Sequence, residues 1–114
     1  MRKNIENVIS DILREFAEEL KIAYAVIYRP FRNGPYVLVV RFKRDSTPDE
    51  RFRLRLDLVT ILPSFTNLDV YDYNSIPKDV ACLILRYGKA VFIYDYEQYM
   101  QDLEEALREV RRIT

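Results

Sequence analysis

The sequence predicts an α/β (α+β) domain: a mixed four-stranded sheet flanked by helices, in the order α-β-β-α-β-α-β-α. Three observations carry this. Apolar residues recur at helical spacing at both ends of the chain, short β-branched and aromatic runs lie between, and capping and turn residues mark the joins. The length of 114 residues suits one core, so residues 1–114 are read as a single domain. With 49% apolar and 32% charged residues, the composition is globular rather than disordered.

Ile5, Val8, Ile9, Ile12, Leu13, Phe16 and Leu20, spaced by threes and fours, predict an amphipathic helix from about residue 4 to residue 20. AYAVIY (Ala23–Tyr28) and YVLVVRF (Tyr36–Phe42) are short enough and apolar enough for strands buried on both faces. Pro30, Asn33, Gly34 and Pro35 turn the chain between them. Thr47-Pro48-Asp49-Glu50 is a helix start: Thr47 caps, Pro48 suits the first position, and Glu50 can complete a capping box. The stretch after it fits two periods. Phe52, Leu54, Leu56 and Leu58 alternate like a strand, whereas Phe52, Leu56, Val59 and Leu62 share one helical face. The cap favours a helix ending at Pro63. LDVYDYN (Leu68–Asn74) is a third strand. Pro77 opens a helix bearing Val80, Leu83, Ile84 and Tyr87, and Gly88 stops it. AVFIY (Ala90–Tyr94) is a fourth strand. The last helix runs from about Asp95 to Ile113, with Tyr99, Leu103, Leu107 (or Ala106) and Val110 on one face. Leu83, Ile84 and Leu103 are expected in the core. Arg108, Arg111 and Arg112 suit the negative end of the last helix's dipole.

Composition removes several kinds of chemistry. There is no histidine, which excludes Ser–His and Cys–His nucleophile pairs and His-ligated zinc. The 18 basic and 18 acidic residues cancel, so no global field draws the chain to nucleic acid or an anionic membrane. No apolar run is long enough to span a bilayer, and the amphipathic N-terminus is unlike a signal peptide. Cys82 is the only cysteine and sits in the apolar run VACLIL, which points to packing and to a reducing cytoplasm. Few glycines and glutamines, with abundant Arg, Glu, Ile and Val, are similar to a heat-adapted composition.

A helix, a hairpin, a helix, the strand L-D-V-x-D-x-N and then I-P-x-x-V-x-x-x-I-L-x-x-G-K-x-V-F-I-Y-D together resemble the minimal nucleotidyltransferases of the DNA polymerase β-like superfamily. The densest part of the resemblance is Asn67–Tyr96; the N-terminal half matches in element order. The resemblance implies a nucleotidyltransferase-like fold. It also implies a catalytic signature: a Gly-Ser turn after the first strand, Asp-x-Asp on the second, and a third carboxylate on a later strand, together holding triphosphate and two Mg²⁺ ions. This chain has Tyr28-Arg29-Pro30-Phe31 at the turn, where Pro30 lacks an N–H for phosphate. Tyr36–Val40 contains no acid. Only Asp69 remains, at the third position. No catalytic residue, metal or cofactor is expected, and Asp69 is read as a relic carboxylate.

Two further sets of residues are candidates. Arg29, Arg32, Arg41, Lys43 and Arg44 around the first hairpin form either a basic patch or a solvated rim. Tyr71, Tyr73, Tyr94, Tyr96 and Tyr99 crowd the C-terminal half, either packing sheet on helix or anchoring an interface. Minimal nucleotidyltransferases commonly pair as antitoxins with small helical HEPN-class proteins. The resemblance implies such a partner, and the missing signature favours a non-catalytic subunit that binds it, assembles with itself, or both; no membrane association or direct nucleic-acid binding is expected. The alternative is a nucleotide- or nucleic-acid-binding remnant, or a weak transferase using Asp69.

Overall fold

The computed structural model describes residues 4–64 and 67–113, except the side chains of 110–113. Helix α1 (Ile5–Phe16) starts where the Asn4 side chain accepts from the N–H of Asn7. Its last turn closes at Lys21, the one described non-glycine residue with positive φ (52°). Ile22 N–H bonds to Ala17 O and Lys21 N–H to Glu18 O, the paired bonds of a Schellman ending. Strands β1 (Ile22–Tyr28) and β2 (Tyr36–Phe42) form an antiparallel hairpin. Helix α2 (Pro48–Ile61) follows, so the ambiguous segment is helical. Thr47 Oγ1 accepts from Glu50 N–H as expected, while the Glu50 carboxylate takes Lys21 Nζ at 3.1 Å. Strand β3 (Leu68–Asp72) lies parallel beside β2 and gives way at Tyr73–Ser75 to a short 3-10 turn, two residues before the expected strand end. Helix α3 (Lys78–Tyr87), strand β4 (Lys89–Ile93) and helix α4 (Tyr96–Ile113) complete the chain.

The sheet order is β3-β2-β1-β4, with β1 antiparallel to both its neighbours. Each face holds a helix pair. Ile9 and Leu13 of α1 and Leu54, Leu58 and Leu62 of the α2 region pack on Ile22, Ala25, Ile27, Leu38, Val40, Phe42 and Val70. On the other face Cys82, Ile84 and Leu85 of α3 and Ala106 of α4 pack on Ala23, Tyr24, Val26 and Val39. Cys82 is buried packing, and its thiol pKa is raised by that burial.

Two expectations about faces need correction. Phe52, Leu56 and Val59 are exposed rather than inward, because the Leu54/Leu58 row of α2 is the one that meets the sheet. Leu83 is 46% exposed: α3 turns Ala81 and Cys82 inward with Ile84 and Leu85, and these small residues let it lie close to sheet and helix. Ile84 is buried and Leu103 is half-buried against the α3–α4 side of the core. Gly88 ends α3 with φ −82°, so close packing rather than a left-handed turn requires it. A Cβ there would stand 2.5 Å from Ile84 O and 2.6 Å from Val26 Cγ1. The expected placements of Val110, Arg111 and Arg112 lie outside the described side chains. No helix among the described residues is long and apolar enough to cross a membrane.

Candidate functional site

Strand parity decides what Asp69 faces. In the β2–β3 ladder Val37 lies opposite Asp69 and Val39 opposite Tyr71; in the β1–β2 ladder Tyr28 is opposite Val37 and Val26 opposite Val39. Residues opposed in a ladder share a sheet face. Asp69 is therefore an exposed carboxylate on the outer strand, followed inward by aliphatic and aromatic side chains. The residues beside it do not fit a pair of divalent cations, which need several hard oxygen ligands. Asp72 points to the opposite face and is fully engaged. It accepts from Arg51 Nε (3.0 Å), Asn74 N–H (3.1 Å) and Ser75 Oγ (3.2 Å), which makes it a structural carboxylate.

At the β1–β2 turn the Arg29 side chain folds back on its own loop. Nε donates to Gly34 O at 3.2 Å, and the guanidinium lies 4.6 Å from the centre of the Tyr36 ring. The adjoining hollow, lined by Tyr28, Arg29, Tyr36, Tyr87 and Lys89, is about 190 Å³. Ligand pockets usually run from about 300 Å³ upward.

The densest polar constellation lies elsewhere, where α4 crosses the sheet. An irregularity between Ile22 and Tyr24 in the β1–β2 register brings Tyr24 opposite Arg41. The buried Asp102 of α4 accepts from Tyr24 OH (2.7 Å), Arg41 Nε (3.1 Å) and Gln98 Nε2 (2.8 Å). Arg41 also donates to Asn74 Oδ1 at 2.7 Å and lies 4.6 Å over the Tyr73 ring. Burial and the Asp102 charge hold the Tyr24 hydroxyl well above the usual tyrosine pKa. The same causes push Tyr73 up to about 12. No described buried side-chain polar atom lacks a partner, so the network is satisfied and reads as structural. Its one sequence signal is Asp102 itself, an acid amid the Tyr99, Leu103 and Ala106 face of α4.

The candidate tyrosines divide into two groups. Tyr73 and Tyr99 pack edge-on against Tyr24, with ring centres 6.4 and 5.2 Å away. Tyr71, Tyr94 and Tyr96 are exposed, but β3 carries Tyr71 at one sheet edge while Tyr94 and Tyr96 follow β4 at the other. Tyr94 OH donates to Glu18, which raises its pKa. The five cations do not converge either. Arg29 and Arg32 sit at one end of β2; Arg41 is in the Asp102 network, Lys43 lies 5.0 Å over the Tyr94 ring, and Arg44 donates to Gln98 and Gln101 at the other end. The two groups sit towards opposite ends of β2, a strand of seven residues and about 20 Å.

No family model matches the chain, and no curated protein sequence matches it. Solved structures do. The toxin–antitoxin MntA-HepT aligns over 95% of this chain and 86% of the other, with a TM-score of 0.60 and 18% identity. The fold is nucleotidyltransferase-like. A toxin–antitoxin structure with AMP-PNP gives a TM-score of 0.62 at 18% identity over 96% of this chain and 90% of the other. The tri-AMPylated Shewanella oneidensis HEPN toxin in complex with MNT antitoxin gives 0.63 at 12% identity, over 96% and 89%. At these identities the likeness is one of fold. Within this nucleotidyltransferase-like fold, Val37 and Val39 stand on the strand where the resemblance places the acidic pair.

Proposed function

We propose that this chain is a nucleotidyltransferase-like subunit that binds a small helical HEPN-type protein and does not transfer nucleotides. The observation that carries this reading is that a valine, Val37, lies opposite Asp69, with Val39 rather than an acid next on the same face of β2. Complexes of an MNT antitoxin with a HEPN toxin among the structural neighbours support the partner class. The chain has apolar surface to offer such a partner: Val80, Leu83 and Tyr87 run along the outer side of α3, and Ile93, Tyr94 and Tyr96 lie exposed at the end of β4 and just after it. Tyr73 and Tyr99 are left out of the proposed contact because they pack against Tyr24.

Co-expression with a HEPN-type protein encoded beside it tests the reading. The two are expected to co-purify at defined stoichiometry. Incubation with labelled ATP, CTP, GTP or UTP and Mg²⁺ or Mn²⁺ is expected to label neither chain. Metal-dependent labelling abolished by Asp69→Ala would sink the non-catalytic half of the proposal, and failure to co-purify would sink the other half. Calorimetry with Mg-ATP is expected to show no dissociation constant of about 1 µM or tighter, the equivalent of about −8 kcal/mol.

A further inference from the structure

α2 is apolar on two sides. Beyond the core row, Phe52, Leu56 and Val59 stand at i, i+4 and i+7 as an outward stripe, exposed to 61%, 45% and 46%. Along one flank of this stripe lie Arg53 and Asp57, both exposed and four residues apart, with no ion pair to any described residue. Beside the stripe opens a groove of about 560 Å³, lined by Arg55, Val59, Leu62, Leu68, Asp69 and Tyr71 among others. Arg55, on the other flank, is held between the stripe and the edge of β3: its Nη1 donates to Val70 O at 3.3 Å, and its guanidinium lies 5.8 Å from the centre of the Phe52 ring.

We infer that this face is an isologous contact between two copies of the chain, with α2 packed antiparallel on α2 about a two-fold axis near Arg55 and Leu56. An isologous contact must be self-complementary, since each patch meets itself reversed. The flank satisfies that condition. Antiparallel packing about this point sets Arg53 of each copy beside Asp57 of the other, giving two reciprocal ion pairs. A parallel pairing in register would oppose like charges. The same geometry sets Phe52 against Val59 of the other copy, at the mouth of its groove, so the one ring of the stripe meets a recess. A foreign helix would need a stripe to cover Phe52 and Leu56, but it would not require the Arg53–Asp57 order to complement itself.

The α3 stripe is the nearest competitor for a self-contact, and it has less to offer. Of its stripe only Tyr87 borders a hollow, the small one of about 190 Å³ near the β1–β2 turn, and its acid, Asp79, already accepts from the N–H of Val80. A 14-residue helix is about 21 Å long, so the α2 contact lies at the small end of specific interfaces, near 1,200 Å² in total. The dimer is correspondingly weak, with a dissociation constant in the micromolar range of about 10–100 µM. The stripe supplies the apolar burial, and the charges set register and partner choice. The contact leaves α3 and the β4 end free and does not depend on the partner-binding proposal.

Sedimentation equilibrium on the full chain tests it with Arg53→Glu, Asp57→Arg, their equimolar mixture and the double variant. The wild type is expected to dimerise. Each single variant is expected to dimerise about tenfold more weakly, as two exposed pairs become two like-charge contacts. The mixture, in which Glu and Arg meet across the axis, recovers a heterodimer, and the double variant recovers the homodimer. Both positions of change are exposed, and unchanged melting by circular dichroism confirms that the fold is intact. A monomeric wild type at about 500 µM overturns the inference. So does a dimer indifferent to these changes and to Leu56→Arg but lost with Leu83→Arg, which places the contact on α3. Loss in the single variants without recovery in the mixture overturns the antiparallel register.

Discussion

Tyr24 has its hydroxyl on Asp102 and its ring against Tyr73 and Tyr99, and one irregularity in β1 makes both contacts possible. The β-bulge turns Ala23 and Tyr24 to the same side of the sheet, against the ordinary alternation. Because Tyr24 is fully buried and faces a carboxylate, its proton is held more tightly in the folded chain than in the unfolded one, where it leaves near pH 10. A raised folded pKa means stability that is complete below about pH 10 and is lost as pH rises beyond it. Tyr73, pushed up to about 12, adds to the same alkaline limb. Tyr24→Phe is expected to cost about 1–2 kcal/mol near neutrality, through the lost bond to Asp102, and to flatten the fall in stability above pH 10. Urea titrations across that range check it; an unchanged alkaline limb would show that Tyr24 does not bear this load. Some of this scale was legible in the sequence. Strand parity alone separates Asp69 from Asp72, and the empty second-strand positions are plain. The Tyr24 network was not legible, because an inserted residue in a strand leaves no periodic mark.

Whether α2 exists and which way it faces are separate questions, and local sequence answers only the first. Thr47 and Pro48 set a helix start that no strand would need, and this settled a segment whose alternation also fitted a strand. The facing was illegible because two rows, Phe52/Leu56/Val59 and Leu54/Leu58/Leu62, both obey helical spacing. The choice between them is made by contacts outside the helix: Arg51, three residues before Leu54 on the same side, is held by Asp72 of β3 and by Ser46 O. α3 gives a complementary lesson: its small residues face inward and its large Val80, Leu83 and Tyr87 outward, so side-chain size misleads about burial. Leu58→Ala is expected to cost about 2–5 kcal/mol by leaving a core cavity, and Leu56→Ala under about 1 kcal/mol in the monomer. Denaturant unfolding at concentrations well below the dimer range separates the two. Equal costs would mean that the outward row is buried even in the monomer.

At the scale of the whole molecule, four helices are held to one sheet in two different ways. On the α1–α2 side the joint is apolar, with Ile9, Leu13, Leu54 and Leu58 against the strands. On the α3–α4 side the apolar layer is thinner, and α4 is fixed to β1, β2 and the turn after β3 through Asp102, Arg41, Tyr24 and Asn74. The Arg41–Asp102 pair is largely buried, at 14% and 7% side-chain exposure. Taking both charges out of water is costly, so the pair adds little net stability; breaking it leaves one buried charge unmatched. Asp102→Ala is therefore expected to cost about 3–5 kcal/mol, a large share of the roughly 5–15 kcal/mol that holds a domain together. The α4 amides should lose hydrogen-exchange protection first, since that helix loses its anchor. Changing both residues to apolar ones of similar size, Arg41→Met with Asp102→Leu, should cost less than Asp102→Ala alone, because no lone charge remains. A thermodynamic cycle over Arg41→Met, Asp102→Leu and the double variant measures this coupling. If Asp102→Ala costs less than about 1 kcal/mol, or the double change costs the sum of the singles, α4 is held by packing alone and the network is incidental.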